Sequence, residues 1–238
     1  MIELHFVPTP NGHKISIMLE EIGLPYELKH YNLPEGDHLK PEFRRINPNA
    51  RLPAMIDHDP ADGGAPFAVF ETGAMLQYLA EKTGQLIPGD LRGRSLCLQW
   101  LSWQIAGFGP FQGQAHHFIR YAPEGQEYGI ERYRRETERA LHVLNRRLGE
   151  VDYLAGDYSI ADIATWPWVR ATRAIDMPLD PFPNIRRWFA AIGERPAVLR
   201  GTAVTNVANL SSLRPKLSDE QWSNLFGKNM LDSAKAEG

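Results

Sequence analysis

The stretch Leu4-His5-Phe6-Val7-Pro8-Thr9-Pro10-Asn11-Gly12-His13-Lys14 decides how the chain folds, because a short apolar run breaks at proline and restarts with helical periodicity. It reads as strand, tight loop, helix N-terminus. Thr9 or Asn11 supplies a side-chain acceptor for the unpaired amides of a first turn, and Pro10 suits a first helical position since it has no N–H to lose. Ile15, Met18, Leu19 and Ile22 then recur at helical spacing, and the helix should stop near Gly23-Leu24-Pro25. A helix end of this kind aims several backbone N–H groups, and roughly half a positive charge, at whatever lies before it. The turn is a plain cap or an anion site, and it carries no thiol of its own.

Outward from this turn, Tyr26 to Tyr31 alternates as a second strand, which makes a β-α-β unit with parallel strands. A loop through Pro34, Gly36 and Asp37 leads to a short helical piece around Phe43, and Asn47-Pro48-Asn49-Ala50-Arg51-Leu52-Pro53 precedes the apolar run Ala54-Met55-Ile56. Pro53 sits at a strand entrance because it has no ladder donor. A cis Leu52-Pro53 bond is one way to turn the chain there, although trans is the commoner isomer. After a turn at Asp62-Gly63-Gly64 come a short strand, Phe67 to Phe70, and a helix, Thr72 to Glu81, with Ala74, Met75, Tyr78 and Leu79 on one face. The order is thus β-α-β-α-β-β-α, with two helix starts, at Thr9 and at Glu71-Thr72, opening toward one edge of a sheet.

Leu86 to Gly93 has the composition of a linker, and the pattern beyond it is helical only. Ser95 to Phe108 is apolar nearly all round, which predicts a helix buried between neighbours, and Gly107-Phe108-Gly109-Pro110 should bend or break it. Ile130 to Leu148 is amphipathic and rich in arginine. Ser159-Ile160-Ala161-Asp162 resembles a capping box and opens an apolar helix, where Asp162 has a folding role. Further helices are expected from Asn184 to Ile192 and after Ser218, with Ser233 to Gly238 frayed. The predicted organisation is an α/β domain over residues 1–85, an all-α domain over 92–200 and a C-terminal extension over 201–238.

With 43% hydrophobic and 23% charged residues, the 238-residue chain has the balance of a globular protein, and a net charge of −3 gives no electrostatic case for nucleic acid. No apolar run is long enough to span a bilayer, and the first residues lack the order of a secretory signal, so the expected compartment is the cytoplasm. The single cysteine, Cys97, lies in the apolar run Leu96-Cys97-Leu98, where a thiol is inert. Adjacent His116 and His117 point about 100° apart on a helix, which opposes a shared metal and favours site lining or packing; no metal is expected.

Leu52-Pro53, Glu71-Thr72 and Ser159-Ile160-Ala161-Asp162 fall in the order and spacing of cytosolic glutathione transferases, and the chain resembles that family over roughly residues 1–200. The resemblance implies a thioredoxin-like N-terminal domain followed by an all-helical one. Thioredoxin-type proteins carry Cys-Pro-x-Cys at the first strand-to-helix turn, where this chain has Thr9-Pro10-Asn11-Gly12. Thr9 to Lys14, Asp62-Gly63-Gly64, Gly109-Pro110 and His116-His117-Phe118 are similar to the bacterial Nu class, associated with glutathione-dependent reduction of disulfides and related to a fungal nitrogen regulator.

Carried onto this sequence, the resemblance implies that Thr9 and Asn11 face the glutathione sulfur. Leu52, beside a cis Pro53, would pair its backbone with the cysteinyl part. Glu71 would take the γ-glutamyl ammonium and Thr72 its carboxylate, while Arg51 and His38 would lie near the glycyl carboxylate. Arg132 is either part of a solvated face or reaches a glutathione across a homodimer. Glutathione is then a cosubstrate and the second substrate a small disulfide or electrophile. The alternatives are conjugation or peroxidase chemistry, or a regulator that keeps the fold without turnover.

Overall fold

The computed structural model describes residues 1–204 and 216–236. Strand β1 (Ile2–Phe6) pairs in parallel with β2 (Tyr26–His30) and antiparallel with β3 (Ala54–Asp57), which pairs antiparallel with β4 (Phe67–Phe70); the sheet order is β2-β1-β3-β4. Helix α1 (Pro10–Ile22) crosses from β1 to β2 and ends on Gly23 in the left-handed conformation. A one-turn helix α2 (Pro41–Arg44) precedes β3, and α3 (Thr72–Thr83) follows β4. The buried stripe of α3 is Met75, Leu76, Leu79 and Ala80; Ala74, predicted on that face, is exposed.

The helical layer starts earlier than composition suggests. Asp90 caps α4 (Leu91–Trp103) by accepting from Arg92 and Gly93, so the linker is shorter than the Leu86–Gly93 run. A π-helical turn, Gln104–Phe108, joins α4 directly to α5 (Gly109–Arg120), a helix the periodicity did not announce. The predicted break at Gly107-Phe108-Gly109-Pro110 is therefore a change of pitch with Pro110 in a first turn, where a missing N–H costs nothing. On α4 only Cys97 and Leu101 are buried, contrary to the expectation of burial on all sides; Leu98, Trp100 and Trp103 are half-buried.

Helix α6 (Glu127–Leu148) leads to α7 (Ile160–Ala171), α8 (Pro183–Gly193) and α9 (Pro196–Ala203). Ser159 and Asp162 form the capping box at the start of α7, and buried Asp162 also accepts from the Leu154 amide and the Trp188 indole. α9 packs on α1 so closely that a Cβ on Gly201 would stand 2.6 Å from Ile17 Cα, which leaves room only for glycine. One apolar core runs from β1 and α1 through α7 to Trp188 on α8.

Beyond residue 215, Ser218 and Gln221 form a second capping box on α10 (Asp219–Phe226), followed by α11 (Lys228–Lys235). Ser233 to Lys235 thus close a helix instead of fraying; residues 205–215 and 237–238, part of the predicted extension, lie outside the described residues. Arg44 holds α11 down by donating to the carbonyls of Ser233 (2.6 Å) and Ala236 (2.7 Å). Asn224 donates to Pro34 O at 2.9 Å.

Candidate active site

A cleft of about 720 Å³ lies between the sheet layer and the helical layer. All the sequence-predicted site residues except Arg132 line it: Thr9 and Asn11 at the first turn, His38, Arg51, Leu52 and Pro53 from the loops before β3, and Glu71 and Thr72 at the start of α3. The Leu52–Pro53 peptide is cis.

Thr9 is the N-cap of α1, and its Oγ1 accepts from the Gly12 amide at 3.2 Å. A hydroxyl has one proton and two lone pairs, so accepting from Gly12 leaves its proton for the cleft. Capping the helix and facing the cleft therefore do not exclude each other at Thr9. Gly12 allows the helix to start this close to β1, because a Cβ there would lie 2.0 Å from Val7 O. Asn11 Oδ1 accepts from the Trp168 indole at 2.9 Å.

At the second helix start Glu71 has φ 67°, ψ 117°, outside the regions favoured by side-chain-bearing residues and worth about 1–3 kcal/mol of strain. That conformation puts an exposed carboxylate at the cleft beside the amides of α3. Asn49 donates to it at 3.3 Å. Thr72 Oγ1 accepts from the buried ammonium of Lys14 at 3.2 Å, which leaves the Thr72 proton free to donate. Together these groups suit an amine at Glu71 and a carboxylate at Thr72.

Arg51 is exposed, with Nη2 3.2 Å from Met230 Sδ, and His38 is buried with Nδ1 unpaired. Burial, helped by the charge of Arg51, pushes His38 down to about 4, so at neutral pH it can donate a hydrogen bond but not a charge. Arg51 supplies the charge. Asn47, read in the sequence only as part of a loop, is buried and fixes this corner by donating to Arg51 O at 2.6 Å while accepting from the Asn49 amide.

The opposite wall comes from the helical layer and the chain's last helices, through His116, Arg120 and Tyr121 of α5, Trp168 and Ala171 of α7, and Leu217, Leu225 and Phe226. The Phe226 ring packs on His117 (4.7 Å) and Tyr121 (5.1 Å). His116 instead meets Trp168 edge-on at 6.4 Å, so the adjacent histidines have different partners. Among the described residues no group of three or more His, Cys, Asp or Glu side chains could hold a metal ion.

Arg132 lies on α6 away from the cleft, in a shallow depression with Tyr128 and Arg139, and pairs with Glu136 at 3.3 Å. Cys97 is buried between α4 and α7, and burial pushes its thiol up. The sheet-side wall thus offers polar partners for an anion, an amine and two carboxylates along one elongated ligand, and no nucleophilic sulfur.

Family models of the glutathione S-transferase N-terminal and C-terminal domains match residues 9–82 and 127–191. The chain is 52% identical over 198 residues to the disulfide-bond oxidoreductase YfcG of Escherichia coli, covering 83% of this chain and 92% of that one. The chain belongs to the glutathione S-transferase family. Among solved members, a glutathione transferase of Burkholderia graminis with two glutathione molecules per subunit superposes with a TM-score of 0.81 at 45% identity, covering 87% and 89% of the two chains. One from Pseudomonas putida with one glutathione disulfide per subunit gives 0.80 at 42%, covering 85% and 91%. The sheet and helical layers of this family member are thus the glutathione S-transferase fold, with a thioredoxin-like first half.

Proposed function

We propose that the protein is a Nu-class glutathione transferase acting as a glutathione-dependent disulfide-bond oxidoreductase in the cytoplasm, where thiols are kept reduced. The observation that carries this reading is the Thr9 turn. A hydroxyl whose acceptor side is taken by Gly12, an adjacent Asn11 amide and a helix N-terminus converge on a cleft that contains no cysteine. Similarity to YfcG and to structures holding two glutathiones or one glutathione disulfide supports it.

Glutathione lies with its ammonium on Glu71, its γ-glutamyl carboxylate on Thr72, its cysteinyl backbone on Leu52 beside Pro53, and its glycyl carboxylate on Arg51 and His38. Its thiolate attacks one sulfur of a small disulfide, and the other sulfur leaves as a thiolate. A second glutathione thiolate then attacks the mixed disulfide, releasing the remaining substrate thiol and forming glutathione disulfide, so both electrons come from the two glutathiones. Thr9, Asn11 and the α1 amides stabilise the attacking or leaving thiolate, which is electrostatic preorganisation.

The active form is a homodimer. Exposed Phe67 and Phe70 on edge strand β4, and exposed Leu91 and Tyr128 at the starts of α4 and α6, are large apolar side chains that a second copy could cover. Arg132 then serves the glutathione held by the other subunit. A sedimenting species of the chain mass alone at micromolar concentration would exclude this arrangement.

The test of the reading is the ultraviolet thiolate absorbance of the glutathione complex against pH. Thr9→Ala and Asn11→Ala should each raise the thiol pKa and slow turnover at neutral pH while affinity falls less, and Thr9→Ser should recover most of the loss. Overlaid titration curves with collapsed turnover would sink the thiolate role. If turnover survives as well, the turn is only a helix cap.

A further inference from the structure

We infer that Trp168 is a positioning residue that fixes which end of the Asn11 amide faces the cleft, an inference that rests on the reading of Asn11 above. The Trp168 Nε1 atom lies 2.9 Å from Asn11 Oδ1, although the two residues are 157 positions apart in the chain. An indole has one N–H donor and no acceptor, so the atom facing it must be the amide oxygen. That contact selects one of the two flipped orientations of Asn11, the one whose NH2 group is left for the cleft. Turned over, Asn11 would set N–H against N–H and present the cleft with an oxygen, whose partial negative charge disfavours a thiolate. The sign of Asn11's effect on an anion therefore depends on Trp168.

The ring is itself held. Trp168 is buried, its carbonyl accepts from Gln112 Nε2 at 2.8 Å, and His116 packs edge-on against it. A Cβ on Gly113 of α5 would stand 3.5 Å from the ring's Cη2, in ordinary van der Waals contact. Gly109 lies close as well, with its Cβ direction 3.6 Å from Cε2. The ring's seat is thus lined by Gly109 and Gly113 after the π-helical turn, and the capping box of α7 anchors the helix that carries it.

Trp168→Phe keeps a ring in the seat and removes only the N–H. On the wild-type background it should raise the thiol pKa of bound glutathione and lower neutral-pH turnover roughly fivefold, the equivalent of one net hydrogen bond. On the Asn11→Ala background it should change the thiol pKa no further, because the indole acts only through that amide. An equal shift in both backgrounds, or no shift on wild type where Asn11→Ala alone gives one, overturns the inference and leaves the role of Asn11 standing. If Asn11→Ala leaves the thiol pKa in place, the underlying reading has failed and the inference falls with it. A second measurement needs no Trp168 variant: in protein labelled with 15N-tryptophan, one of the six indole N–H signals should shift and exchange faster in Asn11→Ala than in wild type. Six unchanged signals would also overturn it.

Discussion

Lys14 Nζ stands 3.2 Å from Thr72 Oγ1 at the centre of the molecule, and the same ammonium donates to Gln104 Oε1 at 2.6 Å. One side chain of α1 thus ties the start of α3 to the π-helical turn. Burial pushes Lys14 down to about 7, opposed by the nearby charge of Glu71. Free lysine titrates near 10.4, so between about 7 and 10.4 the unfolded chain binds more protons than the folded one. The contribution of Lys14 to stability then rises with pH across this window, by up to about 1.4 kcal/mol per unit. Lys14→Met should flatten that rise; urea midpoints at pH 7, 8 and 9 that climb equally in both proteins would contradict it.

Histidines held in the interior set the acid side. His13 and His38, both buried, and half-buried His116 are each lowered to about 4, with burial the largest cause. Between about 4 and the ordinary 6.5 the unfolded state binds these protons and the folded state does not, so stability is lost as pH falls through that window. Asp162, raised by burial to about 6, works the other way but is a single group. The melting temperature should drop steadily from pH 6.5 to 4.5, and His116→Gln should weaken that dependence.

Glu71→Gln and Thr72→Ala should each weaken glutathione binding by about 1–3 kcal/mol, because each leaves a charged ligand group without its partner. Calorimetric titration is the direct measurement. Unchanged affinity in both variants would mean that the ligand lies elsewhere in the cleft.

Cys97→Ala should leave disulfide-reductase turnover near wild type. Its thiol is buried away from the cleft, so the expected loss is in stability, from a small cavity. Loss of turnover in the folded variant would require a protein thiol in the reaction.

Phe226→Ala should raise KM for an aromatic disulfide by about two- to tenfold, with less effect on kcat, since the ring completes the apolar wall with Tyr121. A small polar disulfide should be nearly indifferent to the change. Equal effects on both substrates would argue for a general loosening of α10.

The parts of this molecule that depend on neighbours in sequence were readable from it. Thr9 before Pro10, the capping boxes at Ser159 and Ser218, and the β-α-β alternation each state their structure within a few residues. Lys14 did not, because a lysine on a helix looks like solvated surface until Thr72 and Gln104 close over it. Trp168 and Asn11 meet across 157 residues, which no periodicity encodes. Helix α9 was missed since what places it is long-range packing on α1, with Gly201 against Ile17, and α4 misled because apolar residues on several faces need not all be covered within one chain.

The cleft draws its walls from Val7 at one end of the chain to Phe226 near the other. A ribosome making roughly 5–20 residues per second releases the first turn, the cis-proline loop and Trp168 before the helix that carries Leu225 and Phe226 exists. The polar side of the cleft is thus synthesised before the helix that supplies its apolar side. Arg44 and Asn224 are the groups that tie that later segment to the earlier one.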